Sequence, residues 1–252
     1  MYFVYFMKTI TISLLLFLYY HSAGQAKVTD FKIQSISHRF EDIGHIDTFL
    51  INYPLVSLAN KNIATQINKK IRRLIFEEID SNKTFSLQKL SDQYVEDGLT
   101  DLNYEVVFNH KNFLSIKIYL SWLGAYPVEW TKYMNFDLTN GKFIELSSLI
   151  KKELLPAFRK KLLLEKQKKL DDYLPELKEL SPENFEWGKE QMEDCKKSIQ
   201  LDEFILNDKY IEVFDDCRFP NAIKNLDPPC ELKYSLKDLK PFLRQEFLAR
   251  LH

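Results

Sequence analysis

Glycine is scarce in this 252-residue chain, and the short motifs that mark the common catalytic sites are missing. Six glycines leave little room for a Gly-rich loop that would cradle phosphates. No Gly-x-Ser-x-Gly elbow accompanies the five histidines, and the three cysteines form no Cys-x-x-Cys pair. We therefore predict that the chain is not an enzyme and that it holds no metal and no cofactor.

Two weaker patterns are interpreted as surface features. His38 and His45 are separated by a short stretch containing acids, which is typical of a polar loop rather than of zinc ligands. The adjacent acids Asp215 and Asp216 cannot act together on a glycosidic bond if they lie in a strand, because neighbouring side chains then point to opposite faces.

Net charge is also nearly absent. The chain has 35 lysines and arginines against 36 acids, which gives a formal charge of −1. Such a balance creates no global field that would steer the protein to nucleic acid or to an anionic membrane. We expect no nucleic-acid partner.

One long apolar run occurs, and it lies at the N-terminus. Lys8 is the sole charged residue among the first 26, and the run Ile10–Tyr20 has the length of a signal-peptide core but is short for a bilayer span. Small residues around Gly24 and Ala26 provide a cleavage zone. We predict a signal peptide over residues 1–26, a periplasmic or secreted chain, and no membrane span after its removal; an uncleaved anchor is the alternative.

Hydrophobic residues make up 45% of the chain, which is enough to build a core, and their spacing predicts the elements. Helical spacing covers residues 60–80, 148–170 and 181–197 and a stretch after Ser235. Alternation predicts strands, and the Asn140-Gly141 pair predicts a type I′ hairpin whose return strand is residues 143–146. We predict an α+β fold: an antiparallel sheet of several strands with helices packed mainly on one face. An N-terminal portion, 27–105, and a C-terminal portion, 106–252, would share one core.

The cysteines predict a disulfide, since export permits one. Cys217 and Cys230 flank a proline-containing loop between two predicted strands, and a bridge between them would stabilise the fold by about 2–4 kcal/mol. A Cys195–Cys217 bridge is the competing pairing.

Four aromatic residues surround the Gly124-Ala125 turn, and they are the predicted ligand-binding residues: Trp122, Tyr126, Trp130 and Tyr133. Aromatic faces can stack on sugar rings or anchor a protein interface. The alternative is that Trp122 and Trp130 belong to the core, because they follow the phase of their strands.

The order of these signals resembles a known extracytoplasmic domain. The residues that carry the resemblance are Tyr53-Pro54, Ile67-Asn68, Leu114-Ser115-Ile116, the stretch 124–127 (GAYP), the stretch 135–142 (NFDLTNGK), and the strand pair 204–206 and 210–213. They resemble a DUF3298-like domain of unknown function. This domain forms the extracellular sensor of lysozyme-sensing anti-sigma factors and also accompanies the catalytic domain of a peptidoglycan deacetylase.

The resemblance implies an exported, non-catalytic binding module at the bacterial cell envelope. Its implied partners are a wall-directed protein such as lysozyme or a peptidoglycan fragment. One alternative is an envelope carbohydrate-active hydrolase, which would need two facing carboxylates about 5–9 Å apart. Another is a structural envelope protein with a homo-oligomeric interface; the oligomeric state is left open.

Overall fold

The computed structural model describes residues 32–41, 48–76, 98–110, 112–124 and 126–251. In these residues the strands are β1 (Lys32–Glu41), β2 (Thr48–Ser57), β3 (Leu99–His110), β4 (Phe113–Leu123), β5 (Pro127–Asp137), β6 (Phe204–Leu206), β7 (Tyr210–Phe214) and β8 (Glu231–Ser235). The helices are α1 (Lys61–Phe76), α2 (Leu146–Leu149), α3 (Leu155–Leu180), α4 (Phe185–Cys195), α5 (Leu236–Leu239) and α6 (Gln245–Leu251). The predicted signal peptide and His45 lie outside the described residues.

The strands form two sheets. The first has the order β1-β2-β3-β4-β5 and is antiparallel except where β2 runs parallel to β3; the second has the order β6-β7-β8 and is antiparallel. Parallel neighbours need a crossover connection, and α1 lies in that connection. The predicted α+β fold is confirmed, with a second small sheet added to it. Residue 105 lies inside β3, so the two predicted portions meet within one sheet, and their division stays a prediction.

The first core lies between the five-stranded sheet and α1. Side chains alternate between the two faces of a strand, so every second residue of β4 points toward α1. The residues of α1 that contact the sheet are three or four positions apart, because that spacing places them on one face of a helix. The buried residues at this contact are Ile116, Ile118, Leu120, Met134, Ile67, Ile71 and Ile75.

Two further cores lie around the second sheet. One packs the inner residues of β6, β7 and β8 against α3, α5 and α6, and includes Phe158, Leu162, Leu206, Val213, Leu232, Leu239 and Leu243. The other packs α3 and α4 against the segment between β7 and β8, and includes Leu170, Leu177, Met192, Phe219, Ile223 and Leu226. Within the described ranges, none of the helices is long and apolar enough to cross a bilayer.

A single buried asparagine joins the two sheets. Asn135 of β5 is 1% exposed, and its Nδ2 donates to the carbonyl of Phe204 at 2.7 Å. Its Oδ1 accepts from the backbone N–H of Leu206 at 3.0 Å and from Ser115 Oγ at 2.6 Å. The Asn135 side chain therefore makes the hydrogen bonds to the β6 backbone that a neighbouring strand would otherwise make.

The predicted type I′ hairpin at Asn140-Gly141 is wrong. Gly141 has φ +72°, but the sole non-glycine residue with positive φ in the described ranges is Arg218, so Asn140 does not meet the requirement of that turn. Phe143 forms one bridge to Phe136 instead of a return strand, and α2 begins soon afterwards. A Cβ on Gly141 would lie 3.2 Å from a backbone oxygen of α1, so the glycine also permits a close approach.

Asp137 organises this turn. Its Oδ1 accepts from the Thr139 backbone N–H at 2.9 Å and from Arg250 at 2.6 Å, and its Oδ2 accepts from Asn140 Nδ2 at 2.9 Å. Burial raises the pKa of Asp137, but the hydrogen bonds from Arg250 and Thr139 outweigh it, and the net pKa lies below its ordinary value. The carboxylate thus fixes both the turn and the C-terminal helix α6.

We expect Asp137→Asn to lower the free energy of unfolding most at neutral pH. Because the folded pKa is depressed, the charged carboxylate stabilises the fold above the unfolded pKa, and this contribution is lost as the pH falls through the folded pKa. The difference from the wild type should therefore shrink below about pH 4, as measured by urea unfolding. Asp208→Asn, at an exposed turn, is the control; a difference that stays constant with pH would contradict the assignment.

The single C-terminal helix predicted after Ser235 is two helices in the structure. Ser235 caps α5 as expected, since its Oγ accepts from the backbone N–H of Asp238 at 3.1 Å. The helix ends at Leu239, because Pro241 supplies no N–H and its ring clashes with the preceding turn. The chain then begins again as α6.

The disulfide joins Cys195 to Cys217, which corrects the predicted Cys217–Cys230 pairing. Helix α4 ends at Cys195 and brings its Cα within 5.3 Å of that of Cys217. Cys230 is a free thiol, 1% exposed, and its Sγ lies 3.7 Å from Cys217 Sγ. The Cys195–Cys217 pairing forms because α4 packs beside the loop that begins at Cys217. This arrangement depends on tertiary packing rather than on the length of the loop between Cys217 and Cys230.

Candidate functional site

A cleft of about 890 Å³ lies between β5, the edge strand of the first sheet, and the segment that follows β7. We call residues 215–227 the wall segment. The first sheet contributes three aromatic residues, Trp122, Trp130 and Tyr133, together with Leu120, Val128, Glu129, Thr131 and Lys132. The opposite side contributes Glu203 and, from the wall segment, Asp216, Arg218, Phe219, Asn221, Lys224 and Asp227. The cleft thus has three aromatic rings on the side of the first sheet and a mainly charged opposite side.

Trp122 and Trp130 form the aromatic side. The register pairs Leu120 with Trp130 and Trp122 with Val128, so the two indoles are diagonal neighbours on one face of the sheet. Their rings meet edge to face, with centroids 6.1 Å apart and an interplanar angle of 65°. Trp122 packs partly against the first core, whereas Trp130 is 49% exposed. Trp130 therefore offers the larger free aromatic surface.

Of the two predicted tyrosines, Tyr133 lies in the cleft and Tyr126 lies outside it. Tyr133 lines the cleft, and its ring stacks on Phe214 with centroids 3.9 Å apart. Burial and, secondarily, the charge of Asp216 raise the pKa of Tyr133, so the phenol stays protonated. Tyr126 is 66% exposed and lies outside the cleft wall. The structure thus brings together three of the four predicted residues, and their role in binding stays a prediction.

The charged side holds three carboxyl groups. Partial desolvation by the cleft is the main cause that raises the pKa of Glu203, Asp216 and Asp227, and the acids around each add to it. Arg218 opposes the rise for Glu203, to which its guanidinium is 3.4 Å distant. Asp227 Oδ2 accepts from the Phe219 N–H at 3.4 Å, and its buried Oδ1 has no protein partner in the described chain.

Sequence reasoning missed Glu203 and Asp227 altogether. Glu203 lies just before β6 and Asp227 at the far end of the wall segment, so no short sequence spacing connects either of them with Asp216. The adjacent acids Asp215 and Asp216 point apart, as expected for extended neighbours: Asp215 is buried against Lys166 at 2.6 Å, and Asp216 lines the cleft.

Arg218 has a backbone conformation that marks the cleft wall. Its φ of +52° is left-handed, which costs a non-glycine residue about 1–3 kcal/mol. Such strain persists where the surrounding structure fixes it, and here the disulfide at Cys217 and the buried Phe219 hold it on both sides. This left-handed backbone conformation places the Arg218 side chain beside the acids of the cleft.

Two further clefts, about 750 and 780 Å³, have a different character. The first lies beside α2 and α6, and the second lies where α3 meets β7 and β8. Charged residues dominate the second lining and make up half of the first, which also contains Phe113, Phe143 and Phe247; neither lining includes a tryptophan. The aromatic cleft beside β5 is therefore the stronger candidate.

Comparison with known proteins supports the fold. No family model matches the sequence, and no curated protein matches it. A crystal structure of a DUF3298 family member from Bacteroides fragilis NCTC 9343 aligns with a TM-score of 0.56 and 13% identity, over 89% of this chain and 97% of that one. A DUF3298 family protein from Pseudomonas aeruginosa PAO1 aligns with a TM-score of 0.55 and 14% identity, over 86% and 95%. The chain therefore has the fold of a DUF3298-like domain.

Proposed function

We propose that the chain is an exported, non-catalytic binding module of the bacterial cell envelope and that it holds a cell-wall glycan in the cleft beside β5. The observation that carries the proposal is Trp130, half exposed and in edge-to-face contact with Trp122, in the same cleft as the carboxyl groups of Glu203, Asp216 and Asp227. A braced aromatic ring loses little entropy when it buries a ligand face.

The two sides of the cleft suit a sugar. The apolar face of a sugar ring can stack on the indole of Trp130, and its hydroxyl groups can donate to Glu203, Asp216 and Asp227. An apolar platform with a few converging polar groups is the usual composition of a ligand site.

Two features support an envelope location. The disulfide is consistent with an oxidising compartment. The resemblance to the sensor of lysozyme-sensing anti-sigma factors, and to the domain beside a peptidoglycan deacetylase, associates this fold with the cell wall. The same resemblance makes a lysozyme-like protein the second partner to test.

A glycoside hydrolase is the alternative that one observation favours. Carboxyl groups with raised pKa in a cleft can act as general acids, and Glu203 and Asp216 are such groups. Reducing-end assays on peptidoglycan fragments distinguish the two functions. Product formation that Glu203→Gln abolishes would establish the hydrolase.

Calorimetry of the chain against soluble peptidoglycan fragments tests the binding proposal. We expect Trp130→Ala to weaken the affinity about tenfold or more, which is at least about 1.4 kcal/mol for the lost stacking surface. Trp187→Ala is the matched control, because Trp187 is 40% exposed but lies on α4, outside the cleft. Tyr126→Ala tests the predicted site residue that the cleft leaves out.

The outcomes separate the partners. Glycan binding that depends on Trp130 and not on Trp187 supports the proposal. Binding to c-type lysozyme alone would replace the glycan with the protein partner. Failure to bind either would contradict the proposed function and leave the fold unaffected.

A further inference from the structure

Three sulfur atoms meet where the wall segment begins. Cys195 and Cys217 form the disulfide, and the free thiol of Cys230 contacts Cys217 Sγ at 3.7 Å. All three sulfur atoms lie within 4.8 Å of one another. A free thiol thus contacts one sulfur of an existing disulfide, which thiol–disulfide exchange requires. Because Cys230 Sγ also lies within 4.8 Å of Cys195 Sγ, these side chains must rotate before the attack is in line with the bond that breaks.

We propose that this chain has two disulfide pairings in one fold: Cys230 exchanges with the Cys195–Cys217 bond, forms Cys217–Cys230, and releases Cys195 as a partly exposed thiol that thiol-reactive molecules can modify. This inference concerns the sulfur chemistry alone and does not depend on the proposed glycan site.

The step balances without an outside oxidant or reductant. Cys230 loses its proton, and the thiolate attacks Cys217 Sγ. The Cys217–Cys230 bond forms as the Cys195–Cys217 bond breaks, and the electron pair of the broken bond leaves on Cys195 Sγ, which takes up a proton. One disulfide and one thiol are present before and after the exchange, so the free energy difference between the two pairings is set by packing and strain.

The surroundings of Cys230 make the exchange slow at neutral pH. Burial is the main cause that raises the pKa of Cys230, to about 12; the charge of Lys166 lowers it, and the charges of Asp216, Asp227 and Asp215 raise it. Because the thiolate is the nucleophile, the rate should rise about tenfold per pH unit below that pKa. The Cys195–Cys217 pairing can therefore persist for long periods near neutrality and still be convertible.

Apolar packing holds the wall segment in addition to the Cys195–Cys217 bond. Phe219, Ile223 and Leu226 of that segment are buried against Leu177 of α3 and Met192 of α4. This apolar contact would keep α4 and the wall segment together after the exchange. The rearrangement therefore needs side-chain rotation rather than unfolding.

The two pairings differ in what they hold in place. In the first, Cys217 ties the start of the wall segment to the end of α4. In the second, the disulfide ties the start of the wall segment to Cys230, the residue before β8, and α4 is held by packing alone. Cys217 lies between the cleft residues Asp216 and Arg218, so the exchange changes the disulfide partner of a residue in the cleft wall.

Disulfide mapping of the full chain, purified without reductant, tests the inference. Samples are incubated at a series of pH values, quenched with acid, alkylated in denaturant at low pH, and digested for mass spectrometry. We expect alkylation to begin mainly at Cys230 and to appear at Cys195 with time, about ten times faster for each pH unit. Native samples should gain reactivity at Cys195 toward a small electrophile over the same period.

Two variants make the result decisive. Cys230→Ser removes the nucleophile and should leave Cys195 unlabelled at every pH, whereas Cys195→Ser should be isolated with a Cys217–Cys230 bond in a folded chain. Labelling of Cys195 that persists in Cys230→Ser would overturn the inference, because the bond would then open by another route. Absence of interconversion in the wild type at all pH values, with exchange restored in denaturant, would overturn it as well.

Discussion

Replacing Asn135 with leucine is expected to lower the free energy of unfolding by about 2–6 kcal/mol. The change keeps the side chain near its original volume but leaves the Leu206 N–H and the Phe204 carbonyl without their partner. Each buried backbone group left unsatisfied costs about 1–3 kcal/mol. Since a domain of this kind is stable by about 5–15 kcal/mol, the loss would be a large fraction of the total.

Urea unfolding measures this effect, and Asn109→Leu is the matched control. Asn109 is an exposed asparagine of β3 in the same sheet, so its replacement should change stability by less than about 0.5 kcal/mol. A cost below about 1 kcal/mol for Asn135→Leu would show that the two sheets are held together by apolar packing alone.

The second large effect is expected at the buried ion pair of Lys166 and Asp215. Their side chains are 3% and 9% exposed and 2.6 Å apart, and Lys166 Nζ also donates to the Ser198 carbonyl at 3.3 Å. Lys166→Met should destabilise the fold by about 3–5 kcal/mol, because it leaves the Asp215 carboxylate buried without a counter-ion.

The double variant Lys166→Met/Asp215→Leu should recover most of that loss. Removing both charges removes the desolvation cost of both, so a well-packed apolar pair can be as stable as the ion pair. The exposed pair Lys197–Asp194 is the control, for which single replacements should cost about 0–1 kcal/mol. Additive costs in the double variant would contradict the coupling, since the two groups are in direct contact.

Elements defined by neighbouring residues could be predicted closely. The spacing of Ile67, Ile71 and Ile75 located α1, and the alternation along 102–108 and 114–122 located β3 and β4. Pro156 opens α3 as expected. Each of these signals acts over one turn or one strand, where the period of the apolar residues already decides which face is buried.

Predictions were wrong where a contact with a residue far along the chain outweighed the preference of the local sequence. Helix α3 was predicted to end near residue 170, yet it continues through Pro175 to Leu180. The reason lies in α4: Leu177 is fully buried and packs so closely on Gly188 that a Cβ there would lie 3.0 Å from the leucine Cδ2. Burial of that contact offsets the hydrogen bond that Pro175 removes.

The sequence by itself determined the α+β composition and the order of most helices and strands, whereas the role of its aromatic residues Trp122, Tyr126, Trp130 and Tyr133 in binding stays a prediction. The tertiary structure alone decided that Cys195 rather than Cys230 bonds Cys217, and that Glu203 and Asp227 face the same cleft as Asp216. Helices and strands are determined by residues a few positions apart in the chain, whereas the partner in a disulfide or the residues of a cleft wall depend on how whole elements pack together. That docking is fixed by buried contacts such as those of Asn135 with β6, between residues about 70 positions apart in the chain.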